Sequence, residues 1–431
     1  MSRDSQLDQA VLSRIVAAEA ARGPNRLVYI FENAPHPPER VTAGDLARAG
    51  NQIALSFRAA GLRPGDRVAI MLRNHPEFVH TLVANAKLGL PTVPVDPRAR
   101  GERLAWLLGR AEGGALVTAD YVVADPAAAE VIAESGLPTW VLSTPEGRAE
   151  NLDYPSGWGC LNAILTGPPR PDVGEHVTDP SGPWMALPTT GPTGEPGIVE
   201  IPWDRMSLLR AVPEFLGYRP DDVAYTGLTL AESNALVLAL LPPLVRAVDH
   251  SVISRWFTKS RLWRICVDHG VTTWASVGET ANAMYSLPTS EDDRAHMVRL
   301  VVSCGMPAAI WRAFEERYGV SVLEWYGTME GGAFAVNPVG VGPLGSFGKP
   351  PTGLAEMDVV DDHGNPVPAR ILGELVARPA GADGWRRTGQ EVTRDEDGWL
   401  YAAYRPQDEP DVPVDLPDPA PAVPRPARLS A

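Results

Sequence analysis

A chain of 431 residues exceeds what one small core organises and suits two or three subdomains. Its formal charge of −15, from 38 basic and 53 acidic side chains, excludes nucleic acid or an anionic membrane face as the main partner, since either needs a basic footprint. At 44% hydrophobic and 21% charged, the composition is that of a globular chain, not a disordered or fibrous one.

The opening segment, MSRDSQLDQAVLSRIVAAEA, is polar and amphipathic and lacks the apolar run of a signal peptide. In the next helix-like stretch Leu46, Ala49, Ile53 and Phe57 recur at helical spacing. Thr42 with Asp45 forms a start box, and Gly61 ends the element. DRVAIML, bounded by Pro64 and Gly65, reads as a buried strand, and a second helix over Glu77–Leu88 leads to PTVPVDP. Strand–helix–strand units of this kind imply a covered, mostly parallel sheet. The most apolar run, Ala235–Leu241, is expected to stop at Pro242 and Pro243, so no span of a membrane is expected.

The alternation returns further on. RICVDHGVTTWASV reads as a helix end and a strand, and VRLVVSCG, AIWRAFEERYG and VSVLEWYG as strand, helix and strand. Past Gly340 short runs split by Gly, Pro and Asp-His-Gly-Asn predict the hairpins of a small β-barrel. Residues 409–431 carry seven prolines without periodicity and read as a disordered or extended tail. The expected organisation is a first α/β subdomain over 1–170, a second over 171–338, the barrel over 339–408 and the tail over 409–431.

Cys160, Cys266 and Cys304 are an odd number without short-range pairing, which suits a reducing, cytoplasmic setting and no disulfide framework. The eight histidines show no zinc-ligand spacing, and there is no Gly-x-Ser-x-Gly elbow. Asp395, Glu396 and Asp397 read as a solvated turn, and Trp256, Trp263, Trp274 and Trp311 as core aromatics.

Four segments in order resemble the adenylate-forming ligases, the acyl-CoA synthetases, luciferases and adenylation domains, over roughly residues 20–408. They are GLRPGDRVAIMLRNHPEFV with AKLGLPTVPVDP, TTGPTGEPGIV, VLEWYGTMEGG, and WRRTGQEVTRDEDGWLYAAYRPQD. The resemblance implies an α/β fold: the large N-terminal domain of an adenylate-forming enzyme, two covered and mostly parallel sheets with helices plus a small β-barrel, without the C-terminal lid domain.

It also implies the site. In the family's phosphate loop, backbone N–H groups and a lysine face the β- and γ-phosphates of ATP. Thr189, Thr190, Gly191, Thr193, Gly194 and Pro196 match that loop, whereas Pro192 replaces a threonine, Gly197 the lysine and Ile198 a glycine. Each lost charge-assisted bond is worth about 1.5–3 kcal/mol. Gly305, Met306 and Pro307 match the segment lining the adenine and acyl pocket. Tyr326, Gly327 and Glu330 match the residues that stack on adenine, close the turn and reach magnesium, while Met329 replaces a phosphate-binding threonine. Gln390 stands where the family's aspartate takes both ribose hydroxyls, and its amide offers one acceptor oxygen. Arg405 matches the arginine before the hinge, and Asp408 the hinge itself.

Three readings follow. The first is a repurposed enzyme acting on an acyl or carboxylate substrate, an acyl thioester or adenylate-like ligand, without standard ATP-dependent adenylation. The second is a truncated but working AMP-forming acid–CoA or acid–amine ligase aided by a partner. The third is a non-catalytic binding or scaffold protein. ATP or AMP with magnesium, and coenzyme A, are the cofactors the resemblance implies. The catalytic residue is left open, as are a protein partner over the face where the lid sits in the family and a homo-oligomer.

Overall fold

The computed structural model describes residues 8, 10–111, 113–145, 155, 157–177, 179–190, 196–328 and 332–403, with backbone alone at 189, 190, 196, 207 and 208. The chain divides into two compact units, Met1–Glu214 with Tyr218–Ala275, and Phe215–Gly217 with Ser276–Ala431.

The first unit opens with helix α1 (Leu12–Arg22), strands β1 (Leu27–Glu32) and β2 (Glu39–Thr42), and helix α2 (Ala43–Ala59). Helix α2 starts where the sequence places it. The Thr42 hydroxyl accepts the Asp45 N–H, and the Asp45 carboxylate accepts the Thr42 N–H in return, so two of the donors orphaned at a helix start are satisfied. Leu46, Ala49, Ile53 and Phe57 are all buried along one stripe. Thr42→Ala is expected to cost about 1 kcal/mol, read as a small drop in the urea midpoint at unchanged slope.

Strands β3 (Val68–Ile70), β4 (Thr92–Pro94), β5 (Ala115–Ala119), β6 (Thr139–Leu142), β7 (Gly159–Cys160), β8 (Pro183–Thr190) and β9 (Pro196–Pro202) follow. They form one sheet in the order β7-β6-β5-β3-β4-β8-β9, parallel except for the β8–β9 pair. Helix α3 (Pro76–Leu88) joins β3 to β4 and lies on α2, where Gly50 is needed: a Cβ there would stand 2.5 Å from Val83 Cγ1. Strands β10 (Val223–Thr226), β11 (His250–Ser254) and β12 (Thr273–Val277) extend the other sheet, in the order β12-β10-β11-β1-β2, parallel except for β1–β2.

Asn74, in the loop after β3, ties the two sheets of this unit. Its amide donates to the carbonyls of Leu228 and Ser254, both at 2.8 Å, and accepts the Leu230 N–H at 2.8 Å. Arg255 donates to the Asn74 carbonyl and pairs with Glu39 at 2.8 Å.

Two expectations are corrected here. Pro242 and Pro243 do not stop the apolar run: a π-helical turn over Leu236–Leu240 passes into a short helix over Leu241–Leu244, whose first turn tolerates prolines because its N–H groups need no intrahelical acceptor. Among the described residues no helix is long and apolar enough to cross a membrane. Trp256 is not a core residue but is 47% exposed, its ring 5.2 Å from the Arg73 guanidinium, which also lies 4.2 Å above Tyr121. Trp263, Trp274 and Trp311 are buried as expected.

The second unit holds helix α4 (Gly278–Tyr285), strand β13 (Leu300–Cys304), helix α5 (Ala308–Tyr318), and strands β14 (Ser321–Gly327) and β15 (Phe334–Asn337). β13 and β14 are parallel and joined by α5, and β15 returns antiparallel to β14. Where the resemblance implies a small barrel, β16 (Ala355–Val360), β17 (Gly373–Pro379), β18 (Arg386–Arg394) and β19 (Leu400–Ala402) form an antiparallel meander in that order. Its core is Val359, Leu375, Val392 and Leu400, closed by Phe347 and Ala335. Asp395 caps the solvated turn read from the sequence, accepting the N–H groups of Asp397 and Trp399. The last residues of that unit's expected site, Arg405 and Asp408, and the tail lie outside the described residues.

Candidate functional site

The C-terminal ends of β13 and β14 carry Gly305, Met306, Pro307, Tyr326 and Gly327 of the residues singled out from the sequence. β13 ends at Cys304, and the chain turns at Gly305 with φ +86, a conformation that suits glycine. Pro307, extended, then caps α5. Met306 is buried, Gly305 exposed, and Cys304 and Pro307 half-buried. The close approach of Gly278, the first residue of α4, shapes the same turn: a Cβ there would stand 2.1 Å from the Gly305 carbonyl oxygen.

The turn is held by Glu324, in the middle of β14 and paired in register with Ser303. One carboxylate oxygen accepts the Gly305 N–H, and the other accepts the Met306 N–H at 3.0 Å. The side chain is only 3% exposed. Burial pushes its pKa up to about 8, against the pull of the Met306 and Gly305 N–H groups and the Ser303 hydroxyl. Sequence reading passed over Glu324 because it sits inside an apolar strand run. The only local signal is a carboxylate at a strand position whose neighbours Leu323 and Trp325 are core residues.

Two residues further, Tyr326 is half-buried, its ring 4.6 Å from Phe347 at an interplanar angle of 35°. It rests on the meander's core and keeps part of its ring accessible. Gly327 is fixed by packing, since a Cβ there would lie 2.6 Å from the Trp325 ring. Thr328 and Ala333 are tied to each other by the Thr328 N–H to the Ala333 carbonyl at 3.1 Å. Met329 and Glu330, which the sequence places between them, lie outside the described residues. On β18, Gln390 follows Gly389, at φ +73, and its amide donates to the Glu391 carbonyl at 3.2 Å.

The remaining candidates belong to the first unit. Thr189 and Thr190 end β8, paired in register with Gly197 and Pro196 of β9. Gly191, Pro192, Thr193 and Gly194 lie outside the described residues. Ile198, which takes the place of a glycine in the resemblance, packs against the apolar cluster around Met71, Val93, Leu116 and Ala186. Among the described residues no group of three or more His, Cys, Asp or Glu side chains converges as a metal site.

Residues 16–382 match a family described as AMP-binding enzyme. A sulfoacetate–CoA ligase of Cupriavidus necator is 27% identical over 417 residues, covering 91% of this chain and 78% of that protein. The medium/long-chain-fatty-acid–CoA ligase FadD6 of Mycobacterium tuberculosis is 26% identical, covering 83% of this chain and 57% of its own length. Human long-chain fatty acid transport protein 5 is 32% identical over 330 residues, covering 72% of this chain and 45% of its own. The chain thus spans about half the length of the fatty-acid relatives. Among solved structures, ATP-bound MatB from Rhodopseudomonas palustris superposes with a TM-score of 0.76 at 20% identity, over 92% of this chain and 79% of that one. The anthranilate CoA ligase AuaEII in complex with anthranoyl-AMP does so with a TM-score of 0.77 at 19% identity, over 95% of this chain and 80% of that one.

Proposed function

The chain belongs to the AMP-binding enzyme family, and from that premise we propose that it binds an acyl or carboxylate ligand, as an acyl thioester or acyl-adenylate, and acts on it without the standard ATP-dependent adenylation. The turn at Gly305, Met306 and Pro307 and the partly accessible ring of Tyr326 supply the surfaces for the acyl-adenylate portion. The observation that carries the reading is Gly197. Opposite Thr189 on β9 stands a residue with no side chain, where the resemblance puts a lysine, and the next residue, Ile198, is committed to the apolar cluster. A triphosphate therefore meets no cation from that position. Gln390 adds to this, because it offers one acceptor oxygen where a carboxylate offers two, and one of its two amide N–H groups is bonded to the Glu391 carbonyl.

Calorimetry with magnesium and ATP, AMP and a non-hydrolysable acyl-adenylate tests the reading. Acyl-adenylate binding without ATP binding at millimolar ligand is the expected pattern, together with turnover of a preformed acyl thioester or acyl-adenylate. Micromolar ATP binding, with pyrophosphate release on a panel of carboxylic acids, replaces it by a working ligase, the reading favoured by relatives that are CoA ligases. If no nucleotide or acyl ligand binds and one protein co-purifies, the scaffold reading stands. Gly197→Lys is expected to tighten ATP binding about tenfold by returning a charge-assisted contact. Unchanged affinity in that variant would show that β9 does not border the phosphate position.

A further inference from the structure

We propose that Glu324 is a positioning residue: its carboxylate, by accepting the N–H groups of Gly305 and Met306 together, sets the turn against which the ligand binds. This rests on the reading of that turn as a ligand surface.

The geometry is specific. Gly305 and Met306 donate to different oxygens of one carboxylate from consecutive residues, so the turn has one conformation that satisfies both. Gly305 is exposed, so the backbone that meets a ligand is the backbone Glu324 holds from beneath. A neutral amide does not replace it, because its NH2 would face one of the two N–H donors.

The side chain's surroundings link the turn to pH. The residues opposite Glu324 are Ser303 on β13 and Asn337 on β15, both uncharged. Beyond Ser303 lies the Cys304 thiol, while from α5 Glu315 reaches the Val322 N–H instead. Glu324 makes no ion pair among the described residues. With the turn closed its pKa stands at about 8, burial holding it above the carboxylate range while the two N–H donors pull it down. When the turn opens, the carboxyl stays buried between β13 and β15 and loses those donors, so the open form holds the proton more tightly. Closure is therefore weakest at low pH, where the carboxyl is protonated, and strengthens as pH rises through about 8.

Cys304, half-exposed beside the turn, reports on it directly. In a Cys160→Ser background, with Cys266 buried, maleimide labelling of Cys304 is compared between Glu324 and Glu324→Gln proteins from pH 6 to 9.5. Near pH 6 the Glu324 protein is expected to label at close to the variant's rate, and several-fold more slowly than the variant once the pH has risen through 8. Equal rates throughout overturn the proposal.

At pH 9, where Glu324 is ionised, the acyl-adenylate should bind Glu324→Gln about tenfold more weakly, the loss of one well-made bond to a buried acceptor. Ser303→Ala keeps both N–H bonds and removes a group that favours the ionised form, so it should move the labelling step to higher pH without raising the rate at pH 9.5. An unmoved step overturns the assignment of that step to Glu324. A pH step in a protein that binds no acyl-adenylate supports the clamp and retires the ligand reading, which separates the two claims.

Discussion

Asn74→Leu is expected to leave the first unit close to unfolding. The substitution keeps the side chain's bulk and removes all its polar atoms, so the carbonyls of Leu228 and Ser254 and the N–H of Leu230 lose their partner together. All three bonds are buried. At about 1–3 kcal/mol for each unsatisfied buried group, the sum is several kcal/mol, a large part of the roughly 5–15 kcal/mol that holds a typical domain. Asn74→Asp should do nearly as badly, because a carboxylate puts acceptors against two carbonyls. Urea denaturation checks both, with Thr42→Ala as the mild reference. A loss below about 1 kcal/mol for Asn74→Leu would mean that water or a backbone shift re-satisfies those groups, and that the two sheets of the unit are held by apolar packing alone.

The contrast between Thr42 and Asn74 explains what could be read in advance. The partner of Thr42 is three residues away, so the start box is written in local order, as are the 3.6-residue stripe of Leu46, Ala49, Ile53 and Phe57 and the strand–helix–strand rhythm around β13 and β14. The partners of Asn74 lie more than 150 residues along the chain, and no periodicity announces them. Glu324 is the same case at shorter range: nineteen residues separate it from Gly305, and nothing local announces that its carboxylate lies buried between β13 and β15. Trp256 fails in the opposite direction, since aromatic character predicts burial while the residue lies just past the end of β11, against Arg73. In the candidate site the resemblance names Gly305 and Tyr326, which stand just past the end of β13 and near the end of β14. It does not name what fixes the turn.

Gly278→Ala addresses that last point and should have the largest effect on binding. Gly278 is the first residue of α4 and has an ordinary φ, so alanine carries no intrinsic backbone strain there and would favour the helix. What it meets is backbone: its Cβ would lie 2.1 Å from the Gly305 oxygen and 3.1 Å from the Gly305 carbonyl carbon. No flexible side-chain tip can yield, so either α4 or the turn must move by about an ångström, and packed interiors resist such shifts at roughly 1–3 kcal/mol for an overpacked methyl. The turn is the softer of the two, being exposed at Gly305, and its displacement draws the Gly305 and Met306 N–H groups away from Glu324. The buried carboxyl then loses its donors, which adds a desolvation cost to the steric one. The expected result is acyl-adenylate binding too weak to measure by calorimetry, with Cys304 labelling as fast as in Glu324→Gln and the pH step gone. Gly384→Ala, where a Cβ meets nothing within 4 Å, should change neither. Wild-type binding in Gly278→Ala would mean that α4 gives way instead, leaving the turn to be governed by Glu324 alone.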